Sequence, residues 1–238
     1  MSNSYFRFKQ FTVHHDRCAM KVGTDGVLLG AWANVSDCRT ALDIGAGTGL
    51  ISLMIAQRNP SVRMDAIEID ADACEQAEEN IAASPFAAQI TLYHADFCDY
   101  ASTCRQHYDL IISNPPYFSE AVRCPDSRRQ SARHDDGLPL SALIEKSVPL
   151  LTPTGRIALI LPFAQETELL QQAEKCRLHC IRRTDVIPVE GATPKRLLAE
   201  LGTISCSAAE KNRLILEDSR RRRTMDYRLM TKDFYLYD

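Results

Sequence analysis

The stretch Thr40-Ala-Leu-Asp-Ile-Gly-Ala-Gly-Thr-Gly-Leu50 decides the fold, because a short apolar run leads into three alternating glycines and then into a second apolar run. The first run, 40–44, predicts a buried strand, and the second predicts a helix over 50–57. Glycines at a strand-to-helix turn let backbone N–H groups approach a ligand closely. The sequence therefore predicts a ligand-binding turn at the first strand of an α/β sheet.

Outward from this stretch, short apolar runs alternate with helical patterns. Such alternation predicts a doubly wound, mostly parallel, seven-stranded sheet with helices on both faces, a Rossmann-like arrangement. Beyond 40–44, the predicted strands are 62–68, 90–94, 109–113 and 156–161, with two more near 178–186 and 197–205. The predicted helices beyond 50–57 are 71–83, with Asp70 as N-cap, 140–151 and 166–176.

Length and composition favour one domain without a membrane span. At 238 residues, the chain suits a single domain over 40–238, preceded by an extension over 1–39. No apolar run approaches the roughly 20 residues that span a bilayer, and the first ten residues lack the apolar core of a signal peptide, so we expect a cytoplasmic protein. Nine cysteines without a CxxC pair favour reduced thiols over disulfides or a zinc site.

Charge is unevenly distributed along the chain. Residues 1–120 carry 8 Lys and Arg against 15 Asp and Glu, whereas residues 121–238 carry 20 against 16. One interpretation is an acidic half that binds a small cofactor, joined to a basic half that meets a polyanion. The other interpretation is an uneven surface without function.

Four polar residues lie at the C-terminal ends of four successive predicted strands. They are Asp43, Glu68, Asp96 and Asn114. Open α/β sheets bind ligands at the carboxyl ends of their strands, so these side chains should meet at one edge. Glu68 lies 25 residues after Asp43, a position suited to accept hydrogen bonds from ribose hydroxyls.

The segment Ile111-Ile-Ser-Asn-Pro-Pro-Tyr117 combines an amide, two prolines and an aromatic ring at a strand end. Asn114 offers an amide oxygen, Pro115 offers a carbonyl but no N–H, and Tyr117 offers a flat face for stacking. Such a pocket can accept two hydrogen bonds from a planar amine. The alternative is a strand that simply ends in a Pro-Pro turn.

The ordered acidic set resembles that of class I methyltransferases, which use S-adenosylmethionine. The resemblance implies that Asp43 lies near the methionine amine, Glu68 holds the ribose and Asp96 contacts the adenine. An acidic rim suits a ligand that bears a sulfonium and an ammonium. NAD is the alternative ligand, and the GxGxG spacing of Gly45, Gly47 and Gly49 disfavours it.

Within that family, Asn-Pro-Pro-Tyr marks enzymes that methylate adenine N6, cytosine N4 or the glutamine side-chain amide. By this resemblance Asn114 and Pro115 are catalytic: their carbonyl oxygens accept both N–H bonds and align the nitrogen with the sulfonium methyl. Tyr117 would stack on the base, which has to leave its own stack to enter the pocket.

The first 32 residues resemble the opening signature of the bacterial tRNA(Val) adenine-37 N6-methyltransferases. The matching stretches are Phe8-Lys-Gln-Phe11, 16–26 and Leu28-Leu-Gly-Ala-Trp32. The resemblance implies methylation of N6 of adenosine 37 in the anticodon loop of valine tRNA, without a metal. It also implies that Lys21, Gly23 and Thr24 fold over the methionine end of the cofactor.

Other functions share part of this pattern. A glutamine N5-methyltransferase acting on a release factor would share the Asn-Pro-Pro-Tyr, but that family normally carries an added helical N-terminal domain, for which 39 residues are too few. An rRNA amino methyltransferase is a second alternative. An RNA-binding protein with an inactive cofactor fold is a third, disfavoured by the intact Asn114, Asp43 and Glu68.

Arginines in two places are candidates for RNA contacts. Arg128, Arg129 and Arg133 lie in a long polar connection over 118–139, and Arg220 to Arg223 form a continuous run. Each group either contacts phosphates or is a solvated surface. His14 and His15 lack partners at metal-ligand spacing and are predicted to be packing or surface residues.

Overall fold

The structure, a computed structural model, describes residues 3–18, 20–116, 137–204 and 209–236. Ten strands are described: β1 (Tyr5–Arg7), β2 (Thr12–His14), β3 (Thr40–Ile44), β4 (Arg63–Glu68), β5 (Ile90–His94), β6 (Tyr108–Ser113), β7 (Leu151–Pro162), β8 (His179–Val189), β9 (Arg196–Gly202) and β10 (Glu210–Glu217). Seven α-helices accompany them: α1 (Thr24–Trp32), α2 (Leu50–Arg58), α3 (Ala71–Ala82), α4 (Phe97–Thr103), α5 (Leu140–Ser147), α6 (Glu166–Lys175) and α7 (Met225–Thr231).

The main sheet has the order β5-β4-β3-β6-β7-β9-β8-β10. All neighbouring pairs are parallel except those of β9, which runs antiparallel to β7 and β8. The strand order reverses between β3 and β6, and the space between the carboxyl ends of these two strands is here called the crevice. Such reversal points are where open α/β sheets bind ligands. The predicted doubly wound sheet is confirmed.

The sheet contains eight strands, so the prediction of seven was one short. The additional strand, β10, pairs with β8 at the edge of the sheet. It begins with the polar run Glu-Lys-Asn-Arg, and Leu214 is its one fully buried residue. An edge strand with so little buried surface carries a weak apolar signal, and sequence periodicity therefore missed it.

The predicted helix over 140–151 was too long. Helix α5 ends at Ser147, a single 3-10 turn follows over Val148–Leu150, and Leu151 already belongs to β7. Pro149 lies in that 3-10 turn and has no N–H to donate to an α-helical hydrogen bond. This proline explains why the helix stops where the apolar pattern continues.

Helix α1 was not predicted and packs closely on α2. A Cβ atom added at Gly26 would lie 3.1 Å from Leu50 Cδ2, and one added at Gly30 would lie 2.8 Å from Met54 Sδ. Glycine at both positions therefore lets the two helices approach each other. As a result, the start of α1 lies beside the start of α2, directly after the glycine turn.

The N-terminal hairpin of β1 and β2 belongs to the core of the domain. Phe8, Phe11 and Val13 are buried in the same apolar cluster as residues of α1 and α2. A second apolar cluster contains residues of α5, α6 and the sheet. None of the helices in the described ranges is long and apolar enough to cross a membrane.

Candidate active site

The glycine turn, Gly45–Gly49, connects β3 to α2 at the crevice. Its three glycines have φ values of 72°, 55° and 79°, a left-handed conformation that favours glycine. A Cβ atom at Gly45 or Gly47 would meet nothing within 4 Å. Glycine is therefore required at these two positions by the backbone conformation and not by close packing. Both positions border open space.

Asp43 is fully buried on β3, immediately before the turn. Its Oδ2 accepts a hydrogen bond of 2.7 Å from Ser52 Oγ on α2, whereas its Oδ1 has no partner among the described residues. Burial raises the pKa of Asp43 to about 7, with a smaller contribution from the nearby charge of Glu68 and partial compensation by Ser52. Ser52 was not predicted, although it is the only hydroxyl in an otherwise apolar helical run.

Glu68 ends β4 and is held by three backbone N–H groups. Its Oε2 accepts from Gly47 at 2.7 Å, and its Oε1 accepts from Ile69 at 2.8 Å and Asp70 at 2.9 Å. A carboxylate can accept about four hydrogen bonds, so these three leave room for roughly one more, on Oε2. Glu68 thus fixes the glycine turn against the start of α3 and keeps one further acceptor position.

Asp96 caps α4 beside the same edge. Its Oδ1 accepts from the N–H groups of Cys98 at 2.6 Å and Asp99 at 3.2 Å. The N–H of Ala95 donates to the carbonyl of Glu68 at 3.0 Å, which joins the ends of β5 and β4. The structure therefore brings Asp43, Glu68 and Asp96 to the carboxyl ends of three adjacent strands, as predicted.

Cys18, which follows the N-terminal hairpin, lies next to this edge. Burial and the charges of Glu68 and Asp70 raise the pKa of Cys18 to about 11, which reflects its position near both carboxylates. Lys21, Gly23 and Thr24 are exposed. Gly23 is the N-cap of α1 and Thr24 its first helical residue.

Helix α3 fixes the segment 14–17 through buried amides that sequence analysis missed. Asn80, which is 1% exposed, donates to the carbonyls of His14 and Thr48, both at 2.9 Å, and accepts from the N–H of His14 at 2.9 Å. Gln76, also 1% exposed, accepts from the N–H of Arg17 at 3.2 Å. Their i, i+4 spacing on a buried helix face was the available signal. Asn80 therefore ties the hairpin directly to the glycine turn.

Asn114 and Pro115 follow β6 and are partly buried. Ser113, the last residue of β6, pairs with Ile44 of β3, and its Oγ donates to the Ile44 carbonyl at 2.7 Å. This register puts Asn114 across the crevice from the glycine turn. Tyr117 and the loop arginines Arg128, Arg129 and Arg133 lie outside the described residues.

These features fit a cationic nucleoside ligand. Asp43 supplies a buried carboxylate oxygen without a partner among the described residues, the turn supplies open space, and Glu68 and Asp96 supply further carboxylates. A charge in a buried site attracts an opposite charge strongly, because the effective dielectric is low. The set suits a ligand with cationic and hydroxyl groups better than one with a pyrophosphate.

The histidines and the C-terminal arginines have other partners. Within the described ranges, no group of three or more His, Cys, Asp or Glu could hold a metal ion. His15 is buried, and its Nε2 lies 2.9 Å from the Asn3 carbonyl. In the arginine run, Arg221 pairs with Glu217 at 3.4 Å and Arg222 with Asp218 at 2.7 Å.

Comparison with known proteins identifies the family of this chain. A family model described as the methyltransferase small domain matches residues 22–175. A protein of Parabacteroides distasonis named tRNA1(Val) (adenine(37)-N6)-methyltransferase is 50% identical over 236 residues, which cover 99% of each chain. One of the same name from Phocaeicola vulgatus is 46% identical, with the same coverage. The chain belongs to this methyltransferase family. The family resemblance predicted from the sequence is confirmed.

Solved structures agree on the fold of this methyltransferase. A predicted O-methyltransferase from Agrobacterium tumefaciens superposes with a TM-score of 0.70 at 20% identity, over 90% of this chain and 98% of that one. A putative methyltransferase complexed with SAH gives a TM-score of 0.62 at 16% identity, over 85% of this chain and 57% of that one. Both likenesses concern the fold.

Proposed function

We propose that this enzyme methylates N6 of adenosine 37 in the anticodon loop of valine tRNA, with S-adenosylmethionine as the methyl donor. The observation that carries the proposal is the position of Asn114 across the crevice from the glycine turn, since Ser113 pairs with Ile44. An acceptor for an amine thus faces a site suited to a cationic nucleoside. The names of relatives at up to 50% identity support adenosine 37 as the target.

The chain's own residues divide the binding of the cofactor. Asp43 would use its Oδ1, which has no partner among the described residues, for the cationic methionine end, and Glu68 would use its remaining acceptor position for a ribose hydroxyl. Asp96 would contact the adenine. The turn of Gly45, Gly47 and Gly49 lets the backbone pass close to the ligand, because no side chain fills the space. When bound, the cofactor supplies an electrophilic methyl group on its sulfonium.

The exocyclic amine of adenine is a poor nucleophile, because its lone pair is delocalised into the ring. Carbonyl oxygens of Asn114 and Pro115 that accept both N–H bonds favour a tetrahedral nitrogen and point its lone pair at the methyl group. The nitrogen becomes more acidic as it is alkylated, so a strongly basic side chain is not needed. Tyr117 stacks on the extracted base.

The N-terminal extension, residues 1–39, completes the site in this proposal. Asn80 holds His14 and the glycine turn together, which supports a role for Lys21, Gly23 and Thr24 in covering the methionine end. Residues 40–238 form the rest of the single domain. The tRNA substrate implies a cytoplasmic enzyme.

Methyl transfer to defined tRNA transcripts tests the proposal. The purified enzyme should transfer labelled methyl groups to unmodified valine tRNA but not to the same transcript with guanosine at position 37. A release-factor protein in a parallel reaction should stay unlabelled, because its acceptor is a flexible glutamine amide instead of a base. Equal labelling of the two transcripts, or labelling of the release factor alone, would reject the proposal.

A further inference from the structure

A surface cleft of about 390 Å³ lies where the first strand of the chain meets its last residues. Its lining includes Tyr5, Phe6 and Arg7 of β1 and Arg223, Tyr235 and Leu236 near the C-terminus. The active-site residues described above do not line it. We call it the terminal cleft.

Specific contacts between the two chain ends build the terminal cleft. The N–H of Lys9 donates to the carbonyl of Phe234 at 2.8 Å, and Phe8 and Tyr235 form an antiparallel bridge. The Tyr235 ring stacks on Phe8 at 6.1 Å and 16° on one side, while the Arg223 guanidinium lies 4.6 Å from its centroid. Because Phe8 and Phe234 are core residues, the base of the cleft is firmly anchored.

The cleft presents apolar groups and unpaired positive charge to solvent. Tyr5 is 48% exposed and Leu236 is 38% exposed. Arg7 and Arg223 are both exposed, and neither forms an ion pair with a carboxylate of the described residues. Arg222 and Arg221, one and two positions before Arg223, pair with acidic neighbours. Arg220 and Arg223 are the arginines of the run without a carboxylate partner among the described residues, and of these two Arg223 lines the cleft.

Aromatic faces beside two guanidinium groups that have no carboxylate partner among the described residues fit a nucleotide of single-stranded RNA. Bases stack on aromatic side chains and on guanidinium planes, and arginines bind the flanking phosphates. Stacking on the rings of Tyr5, Phe6 and Tyr235 does not distinguish one base from another, because every base has a flat face. The cleft therefore suits any base in a flexible strand rather than one particular base.

We propose that the terminal cleft holds an unpaired nucleotide of the RNA substrate other than the one that is methylated. This inference rests on the proposed function, since it takes tRNA as the substrate. Phosphates contact Arg7 and Arg223, and the base lies against Tyr5. The cleft contributes affinity for RNA and does not take part in methyl transfer.

The cleft is joined to the active-site segment by a short chain of hydrogen bonds. Val22 N–H donates to His15 Nδ1 at 3.4 Å, so the His15 proton is on Nε2, which donates to the carbonyl of Asn3 at 2.9 Å. Asn3 also lines the cleft, and Val22 lies between Lys21 and Gly23. The cleft and the segment proposed to cover the cofactor thus share the same N-terminal support.

Three single variants of the full-length enzyme, Tyr5→Ala, Arg7→Gln and Arg223→Gln, test the proposal against Arg220→Gln as the matched control. Arg220 belongs to the same run but does not line the cleft. Binding of unmodified tRNA without cofactor is measured over a range of salt concentrations, followed by kcat and KM. Thermal unfolding and S-adenosylmethionine affinity establish that each variant is folded. If Arg223→Gln is unstable, Arg223→Lys, which keeps the positive charge, is measured in its place.

The expected result is a loss of about tenfold in tRNA affinity for Tyr5→Ala, the scale of one lost base stack. Arg7→Gln and Arg223→Gln should each reduce the slope of log K against log salt by about 0.7 to 0.9, with kcat at saturating tRNA unchanged. Arg220→Gln should match the wild type. If the wild type methylates tRNA but all three variants keep its affinity and salt slope, the RNA-binding role of the terminal cleft is wrong and the proposed function stands. An enzyme without tRNA methylation would instead overturn the proposed function.

Discussion

The crevice and the terminal cleft hold their polar groups in opposite ways. In the crevice, Asp43 is fully buried, and Glu68 is fixed by three backbone N–H groups. At the cleft, Arg7 and Arg223 are exposed and form no ion pair with a carboxylate of the described residues, and the Arg223 guanidinium lies over the Tyr235 ring. A buried, prearranged carboxylate suits one small cation, whereas exposed arginines suit a long polyanion whose binding weakens with salt.

Removing the proposed amine acceptor should have the largest effect. Asn114→Ala should lower turnover by roughly 100-fold or more, the scale of losing one positioned catalytic hydrogen bond. S-adenosylmethionine affinity should barely change, because Asn114 acts on the amine. Single-turnover kinetics and cofactor titration measure the two separately. Asn212→Ala, which changes an exposed asparagine on β10, is the control. Near-normal turnover in Asn114→Ala would contradict the mechanism.

Glu68→Ala should weaken S-adenosylmethionine binding by about 1–3 kcal/mol, the cost of losing charge-assisted hydrogen bonds. It also leaves three backbone N–H groups without their acceptor, so the melting temperature should fall as well. Calorimetric titration measures the affinity, with the exposed Glu75→Ala on α3 as control. NAD should not raise the melting temperature of the wild type, and stabilisation by NAD but not by S-adenosylmethionine would contradict the assignment of the crevice.

The same two regions show what sequence could and could not predict. Asp43, Glu68, Asp96 and Asn114 each follow an apolar run, so their meeting at one sheet edge followed from strand alternation. Asn80 and Ser52 were missed, because helix periodicity can indicate that a polar side chain is buried but not which distant group it contacts. The terminal cleft joins residues more than 200 positions apart in sequence. Local pattern does not encode which distant segments meet.

The buried carboxylate of Asp43 should make cofactor binding depend on pH. Burial raises its pKa from the ordinary 3.8 to about 7, so below pH 7 the group is mostly neutral and has no charge to offer the cationic ligand. The affinity for S-adenosylmethionine should therefore fall about tenfold for each pH unit below 7. Titrations at pH 5.5, 6.5 and 7.5 measure this dependence.

Asp43→Asn is the matched control for that titration, because it removes the ionisation and keeps the shape. At pH 7.5 this variant should bind S-adenosylmethionine more weakly than the wild type does. Because residue 43 no longer ionises, the affinity of the variant should not fall tenfold for each pH unit below 7. For the cofactor-free wild type, a raised pKa means that the stabilising contribution of Asp43 is present below pH 3.8 and is lost as the pH rises through about 7. Parallel pH profiles for the wild type and Asp43→Asn would show that another group is responsible.

The paired arginines should give the smallest effect. Arg222→Ala removes a guanidinium that Asp218 already neutralises, so KM for tRNA should change by less than about twofold and the salt slope should stay the same. Steady-state kinetics at two salt concentrations measure both. A loss of affinity as large as that of Arg223→Gln would show that the whole run, and not the cleft, contacts RNA.

Nucleoside mapping tests the central claim most directly. Total tRNA from cells that lack this modification is incubated with the enzyme and S-adenosylmethionine, digested, and analysed by mass spectrometry. The predicted result is one new product, N6-methyladenosine at position 37 of valine tRNA, formed by the wild type and lost in Asn114→Ala. A methyl group on another base or another position, or product formation unchanged in Asn114→Ala, would contradict it.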